Sequence, residues 1–314
     1  MTALHHTNNA SNTANPGLPA AIATILLAIF LFDVQAALIK HMGTRYPVEQ
    51  IAFFRNSFGL LPSLLVLFFT SEWRMRTNRW RLVRWKLALA RGLMLILAQM
   101  CFYYSLVYMQ LATASTLTYA SPLFVTLLSI PMLGHRVGWW RVAAVALGFV
   151  GVVLVMQPGR DAFSLVALLP VAAAFFYALA SLFARYFNDD EPTALISVYS
   201  SSVAMVAAFV LVHVTGHSLA LESAVDWIWF VVMGVTGGCA VFLLIASYRM
   251  SDPSSLSPFE YFGIPFSFCL GWIFFAESPF DSLFPGVLLI VGGGLLVLWR
   301  ERTLTLAGNA PDGD

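Results

Sequence analysis

Ten apolar segments divide the chain, at about 20–40, 48–70, 87–108, 112–133, 139–156, 163–186, 193–215, 227–248, 254–275 and 283–299. A helix rises 1.5 Å per residue, so about twenty residues cross a hydrocarbon core roughly 30 Å thick. Only 11% of the 314 residues are charged, and 59% are hydrophobic. Soluble domains carry about 25% charged residues, so this chain lacks the groups to cover a water-facing surface. The expected fold class is an all-α membrane protein of ten transmembrane helices.

Most gaps between the segments are short, which makes neighbouring helices antiparallel. The one sizeable polar gap, Glu72 to Lys86, holds Arg74, Arg76, Arg79, Arg81, Arg84 and Lys86. Cytoplasmic loops collect Lys and Arg. With the amino terminus inside, the inner loops also hold Arg136, Arg141, Arg185, Arg249, Arg300 and Arg302, while the outer loops hold Lys40, Arg45 and Arg160. This bias predicts both termini in the cytoplasm and an even helix count; the expected location of this multi-pass protein is the bacterial inner membrane. Residues 1–19 and 303–314 are polar and read as cytoplasmic tails, the first of them disordered.

The two halves resemble each other. An offset of 142 sets Tyr119 on Tyr261, His135 on Glu277 and Gly151 on Gly293; an offset of 140 sets Tyr108 on Tyr248. Near the start of each half an offset of 145 sets Lys40 on Arg185, Pro47 on Pro192 and Ile51 on Ile196. Such drifting offsets predict a duplicated unit of five helices, at 20–157 and 158–302. An odd number of spans per unit places the second copy upside down, and inverted repeats around a midplane site are a transporter architecture.

Charges inside the hydrocarbon are costly and mark candidate sites. Four lie at depth: Asp33, Arg55, Arg91 and Glu260. Counted from the nearest segment end, Asp33 and Arg55 fall about 10–12 Å below the outer face, and Arg91 and Glu260 about 9 Å from the inner face. Each layer thus has one acid and one base. The expected pairs are Asp33 with Arg55 and Arg91 with Glu260, acting as alternating gates, as binding poles for a zwitterion, or as static ion pairs. A carboxyl in apolar surroundings holds its proton more readily than in water, which makes Asp33 and Glu260 candidate carriers of a coupling proton.

Segment 4 contains Pro122 and Pro131, and segment 9 contains Pro258, Gly263 and Pro265. Proline removes a backbone hydrogen bond, and irregular backbone at membrane depth is tolerated where it lines a cavity. Matched breaks in two halves point to a binding site; an ordinary packing kink is the competing reading. Tyr103, Tyr119, Tyr177, Tyr248 and Tyr261 lie near these breaks and are candidate cavity residues, able to hold an apolar or aromatic group or a cation by their ring faces. Trp139, Trp140, Trp227, Trp229 and Trp299 sit at segment ends as interfacial anchors. Gly148, Gly151, Gly234, Gly238 and Gly292 to Gly294 permit close helix approach, within the chain or in a homodimer.

Three cysteines, Cys101, Cys239 and Cys269, lie in apolar segments without a CxxC pair, which excludes a disulfide framework and a cysteine zinc site. No histidine pairs with an acid at metal spacing, and phosphate loops, HExxH and GxSxG are absent. No basic tract resembles a nucleic-acid face. The expected protein is neither an enzyme nor a holder of a metal or cofactor. Its partners are a small-molecule solute and the lipid bilayer, and it is a monomer or a homodimer.

KHMGTRYP at 40–47, AFFRNSFG at 52–59, LATASTLTYASPLF at 111–124, MLGHRVGWWRVAAVALGFVGVVLV at 132–155 and SSLSPFEYFGIPF at 254–266 resemble an EamA-type member of the drug/metabolite transporter superfamily. The resemblance covers roughly residues 20–302. It implies a basket of ten helices around a central cavity lined by helices 1, 3, 4, 6, 8 and 9. Asp33, Tyr103, Tyr119, Tyr177, Tyr248, Glu260 and Tyr261 fall on lining helices, whereas Arg55 does not. Where such proteins often carry GER at the inner end of helix 4, this chain has Gly134-His135-Arg136, so no role is assigned to position 135. The resemblance implies a secondary carrier working by alternating access, first as an exporter of amino acids or related zwitterionic or aromatic metabolites. The alternative is uptake of a vitamin or nucleoside-like compound such as riboflavin or S-adenosylmethionine.

Overall fold

The computed structural model describes residues 18–69, 82–133, 139–156, 165–184, 186–187, 191, 193–221, 223–251, 253–278 and 280–308. Arg74, Arg76, Arg79, Arg81, Arg136, Arg160 and Arg185, on which much of the orientation argument rests, fall outside them, as does His135.

The described residues form helices only, joined by turns and short irregular segments. In chain order they are α1 (Leu18–Met42), α2 (Val48–Phe69), α3 (Trp85–Tyr108), α4 (Leu111–Thr118), α5 (Ser121–Leu133), α6 (Trp139–Met156), a 3₁₀ turn (Leu165–Ala167), α7 (Leu168–Ala184), α8 (Thr193–Thr215), α9 (Ala224–Met250), α10 (Pro253–Glu260), α11 (Gly263–Phe275), α12 (Phe280–Leu283) and α13 (Gly286–Gly308). Among the described residues, eight helical stretches are long and apolar enough to cross a membrane, α4–α5 counting as one; Val142–Met156 and Gly286–Leu296 are shorter apolar helices. α1 begins at Leu18 and α13 runs to Gly308, so helix reaches into both stretches read above as tails.

Helix ends follow local chemistry. Ser223 caps α9: its hydroxyl accepts the Asp226 amide at 3.2 Å, and the Asp226 carboxylate accepts the Ser223 amide at 3.2 Å, a reciprocal capping box. α11 stops at Ala276, which adopts the left-handed conformation at φ 53°, and the next amide, Glu277, closes onto the Gly271 carbonyl at 3.1 Å.

The helices pack in exchanged pairs. α1 packs on α9 and α3 on α7; α2 packs on α9 and α3 on α8; α1 packs on α11 and α5 on α7; α2 packs on α8 and α6 on α13. Small residues allow the closest approaches. A Cβ on Gly151 would lie 2.7 Å from the Ile290 amide nitrogen, and one on Gly293 would lie 2.9 Å from the Gly148 amide nitrogen. Gly238 meets Pro62 and Gly234 meets Phe58, both on α2. These five glycines pack within the chain, the first of the two uses considered above, whereas Gly292 has open space around it. Large apolar side chains such as Leu61, Leu65, Phe209, Ile228, Trp272 and Ile273 face outward, as a hydrocarbon environment permits.

Candidate functional site

Segments 4 and 9 are each broken into two helices, and the bounds of α4 and α5 become those of α10 and α11 on adding 142. The backbone bonding at the breaks corresponds as well. The Ala120 amide donates to Leu117 O at 3.2 Å and the Phe262 amide to Phe259 O at 3.0 Å. Beyond the breaks, Phe124 donates to Ala120 O at 3.4 Å and Phe266 to Phe262 O at 3.1 Å. The cause is local: Pro122 and Pro265 have no N–H to offer the carbonyls of Thr118 and Tyr261. Both prolines fall in the first turn of the helix after the break rather than in mid-helix, and the Pro265 side chain is exposed. Pro258 lies within α10.

The residue at each break is a tyrosine. Tyr119 follows α4, Tyr261 follows α10, and their rings meet with centroids 6.3 Å apart at 46°. Tyr119 projects over the first residue of α11: a Cβ on Gly263 would overlap its hydroxyl and would lie 3.0 Å from Asp33 Oδ2. Tyr261 projects over Gly294 of α13 in the same way. Only glycine leaves room for either ring.

Asp33, on α1, is 4% exposed, and its Oδ2 atom is buried without a hydrogen-bond partner. Glu260, the last residue of α10, accepts the Tyr248 hydroxyl. Ile29, one turn before Asp33, packs in the cluster that includes Tyr248 and Phe259. The fold thus gathers Asp33, Tyr119, Tyr248, Glu260, Tyr261 and Gly263 around the two breaks. Within a turn of Tyr119, Ser115 Oγ and Thr116 Oγ1 are also buried and unpartnered, as is the Tyr261 hydroxyl.

A second group forms around Arg55. One guanidinium nitrogen donates to Asn56 Oδ1 at 3.1 Å, and Asn56 donates to Gln99 Oε1 at 2.8 Å. Tyr103 lies one turn beyond Gln99 on α3, which packs on α7, the helix that carries Tyr177. Arg55 Nε is buried without a partner, as is Arg91 Nε. Arg91 joins neither group.

The expected ion pairs are not formed in this conformation. Among the described residues, neither Asp33 with Arg55 nor Arg91 with Glu260 closes to ion-pair distance. The ion pair that does form is Lys40–Glu277, at 2.8 Å, with the side chains 12% and 14% exposed. Lys40 also donates to Leu106 O at 3.1 Å and to Met109 O, while Glu277 Oε2 accepts the Leu111 amide at 2.7 Å. One clasp therefore ties the end of α1, the α3–α4 junction and the end of α11. Sequence reasoning placed Lys40 in an outer loop and passed over Asn56, Gln99, Ser115 and Thr116. Polar side chains inside apolar segments were the available signal for those four. Among the described residues, no group of three His, Cys, Asp or Glu side chains could hold a metal ion.

The apolar exterior and the buried polar groups inside it define a multi-pass helical membrane protein. The model of the EamA-like transporter family matches residues 19–157 and again 164–299, and the chain belongs to that family. It is 25% identical to an S-adenosylmethionine uptake transporter of Rickettsia felis over 90% of this chain and 93% of that protein. It is 28% identical to a riboflavin transporter of Brucella anthropi, over 82% and 91% of the two chains. It is also 28% identical to a pseudopaline exporter of Pseudomonas aeruginosa, over 90% and 94%. A solved crystal structure matches in fold with a TM-score of 0.58 at 19% identity, over 91% of this chain and 99% of that one. Family and relatives point to a transporter rather than an enzyme.

Proposed function

We propose that this protein is a secondary carrier that moves a small organic metabolite across the bacterial inner membrane by alternating access. The observation that carries the reading is the matched pair of helix breaks, whose tyrosines meet beside a buried, unpartnered carboxylate. Broken helices at corresponding positions of two halves are where transporters build their sites.

The layout consists of ten spans in two inverted five-helix units, 20–157 and 158–302, with both termini in the cytoplasm. The exchanged packing supports it. The approach of Gly151 to Ile290 is answered by that of Gly293 to Gly148, and an offset of 142 converts one pair into the other. Tyr119 against Tyr261 maps onto itself. Contacts that interchange in this way are the mark of a two-fold axis.

The solute site consists of Asp33, Tyr119, Tyr248, Glu260 and Tyr261, with Arg55, Tyr103 and Tyr177 as a second polar group. A zwitterionic or aromatic metabolite suits this set, since it offers acids, a base and ring faces. The Lys40–Glu277 clasp closes one end of the bundle in this conformation, and its release is the step that opens that end. Export is the first reading of direction, and the pseudopaline exporter is a relative of that kind. Uptake of a nucleoside-like compound or vitamin is the second, favoured by the likeness to the S-adenosylmethionine and riboflavin transporters.

Counterflow in proteoliposomes tests the reading, with amino acids, riboflavin and S-adenosylmethionine loaded separately. Saturable exchange of any of them supports a carrier and identifies its class. No exchange of these or of any other metabolite by folded protein refutes it.

A further inference from the structure

The break region carries two acids. Asp33 is buried on α1 with Oδ2 unpartnered, and Glu260 accepts the Tyr248 hydroxyl. Among the described residues neither acid is ion-paired. Lys40, two turns beyond Asp33 on α1, is closed onto Glu277, and Arg55 is bonded to Asn56. A carboxylate at membrane depth without a cation is strongly unfavourable. Asp33 has no fixed basic partner among the described residues, so its charge is balanced either by a proton or by a cation that comes and goes.

The surroundings say what that partner is. Asp33 Oδ2 lies 3.0 Å from the Cβ position that Gly263 leaves empty, at the amino end of α11, where the helix dipole favours the ionised carboxylate. The Tyr119 hydroxyl meets that same position, and its ring packs beside that of Tyr261; aromatic rings attract organic cations. The second acid, Glu260, is the last residue of α10, immediately before the second break. A proton alone would neutralise Asp33 but would make no use of paired rings or of a second carboxylate.

We propose that the Asp33 carboxylate, beside Tyr119 and the glycine that opens α11, receives a positively charged group of the transported solute. The carrier then takes organic cations, or zwitterions through their cationic end. This names the solute class of the site proposed above and rests on that reading.

The test is counterflow by the full chain in proteoliposomes with three solute pairs, each nearly matched in shape and differing in positive charge. They are S-adenosylmethionine and S-adenosylhomocysteine, arginine and citrulline, and choline and 3,3-dimethylbutanol. The expected result is that at least one cationic member exchanges tenfold or more faster than its counterpart. Asp33→Asn then removes that preference, while Asp33→Glu, which keeps the charge, retains it. The wild-type ratio needs no variant, so the test survives if Asp33→Asn does not fold. Equal exchange within every pair overturns the proposal, as does a preference unchanged in folded Asp33→Asn. Proton movement coupled to a neutral or anionic solute, with all three cations rejected, also overturns it while leaving the carrier standing. Silence for every solute, these and others, removes the carrier reading as well.

Discussion

Breaking the Lys40–Glu277 clasp is expected to loosen one end of the bundle by a measurable and limited amount. Two unit charges 2.8 Å apart attract by about 6 kcal/mol at an effective dielectric constant near 20. Removing both groups from water takes back several kcal/mol, which leaves a net coupling of about 2 kcal/mol. Since 1.4 kcal/mol is a factor of ten, the closed-to-open ratio at this end should fall about 30-fold. Glu277→Gln is the cleaner perturbation, because its side-chain oxygen can still accept the Leu111 amide that Glu277 Oε2 accepts at 2.7 Å. Lys40→Met keeps the apolar stem and removes the charge. Amide hydrogen exchange over residues 109–118, measured in nanodiscs, reports the opening directly, because Leu111 and the first turn of α4 lie under the clasp. Glu277→Gln should speed exchange there about 30-fold and Lys40→Met at least as much, since it also removes the bonds to Leu106 O and Met109 O; the double variant should be scarcely faster than Lys40→Met, because each single change already removes the ion pair. If the effects simply add, or if exchange changes less than about threefold, the two residues are not a clasp.

Gly263→Ala places a methyl group against the Tyr119 hydroxyl; it should abolish transport and lower stability by about 1–3 kcal/mol, read as counterflow rate and thermal unfolding midpoint. Gly151→Leu drives a side chain against backbone of α13, where a Cβ already lies 2.6 Å from Gly286 O. The thermal midpoint should fall, by an amount equivalent to about 2–3 kcal/mol; an unchanged midpoint would mean α6 and α13 do not touch there. Asn56→Leu strands buried Gln99, its partner at 2.8 Å, and should lower stability by about 1–2 kcal/mol. The double variant Asn56→Leu/Gln99→Leu should recover part of that loss, because replacing both partners leaves no orphaned amide. Ala276→Gly relieves a left-handed backbone at φ 53° and should raise stability by up to about 1 kcal/mol.

Eight spans were legible because length and lack of charge are one-dimensional properties. Thr193–Thr215 agrees with the segment read from sequence at both ends, and Trp85–Tyr108 differs by two residues at its start. The break positions were legible to within a few residues for a similar reason, since Pro122 and Pro265 remove named hydrogen bonds wherever the chain goes. The charge partners were not legible. Depth along each helix was readable and matched Asp33 with Arg55, but two groups at one depth meet only if their helices turn them toward each other. In a soluble protein the apolar stripe of a helix reports that rotation. Here the lipid-facing side is as apolar as the core: Leu27 and Phe30 are exposed on α1, while Ile25 and Ile29 are buried.

By itself, then, the sequence determined that this chain is a bundle of membrane helices, broken twice at offset-matched places, with charges buried inside it. It did so through length, hydropathy and proline, each of which acts locally. Only the tertiary structure decided that Lys40 meets Glu277, that Arg55 turns to Asn56 and that Asp33 Oδ2 lies by Tyr119 and Gly263 without a hydrogen bond from the described residues. Those outcomes depend on how each helix is rotated against its neighbours. That rotation is set by glycine contacts and ring packing between residues far apart in the chain, and no local pattern in an all-apolar helix encodes it.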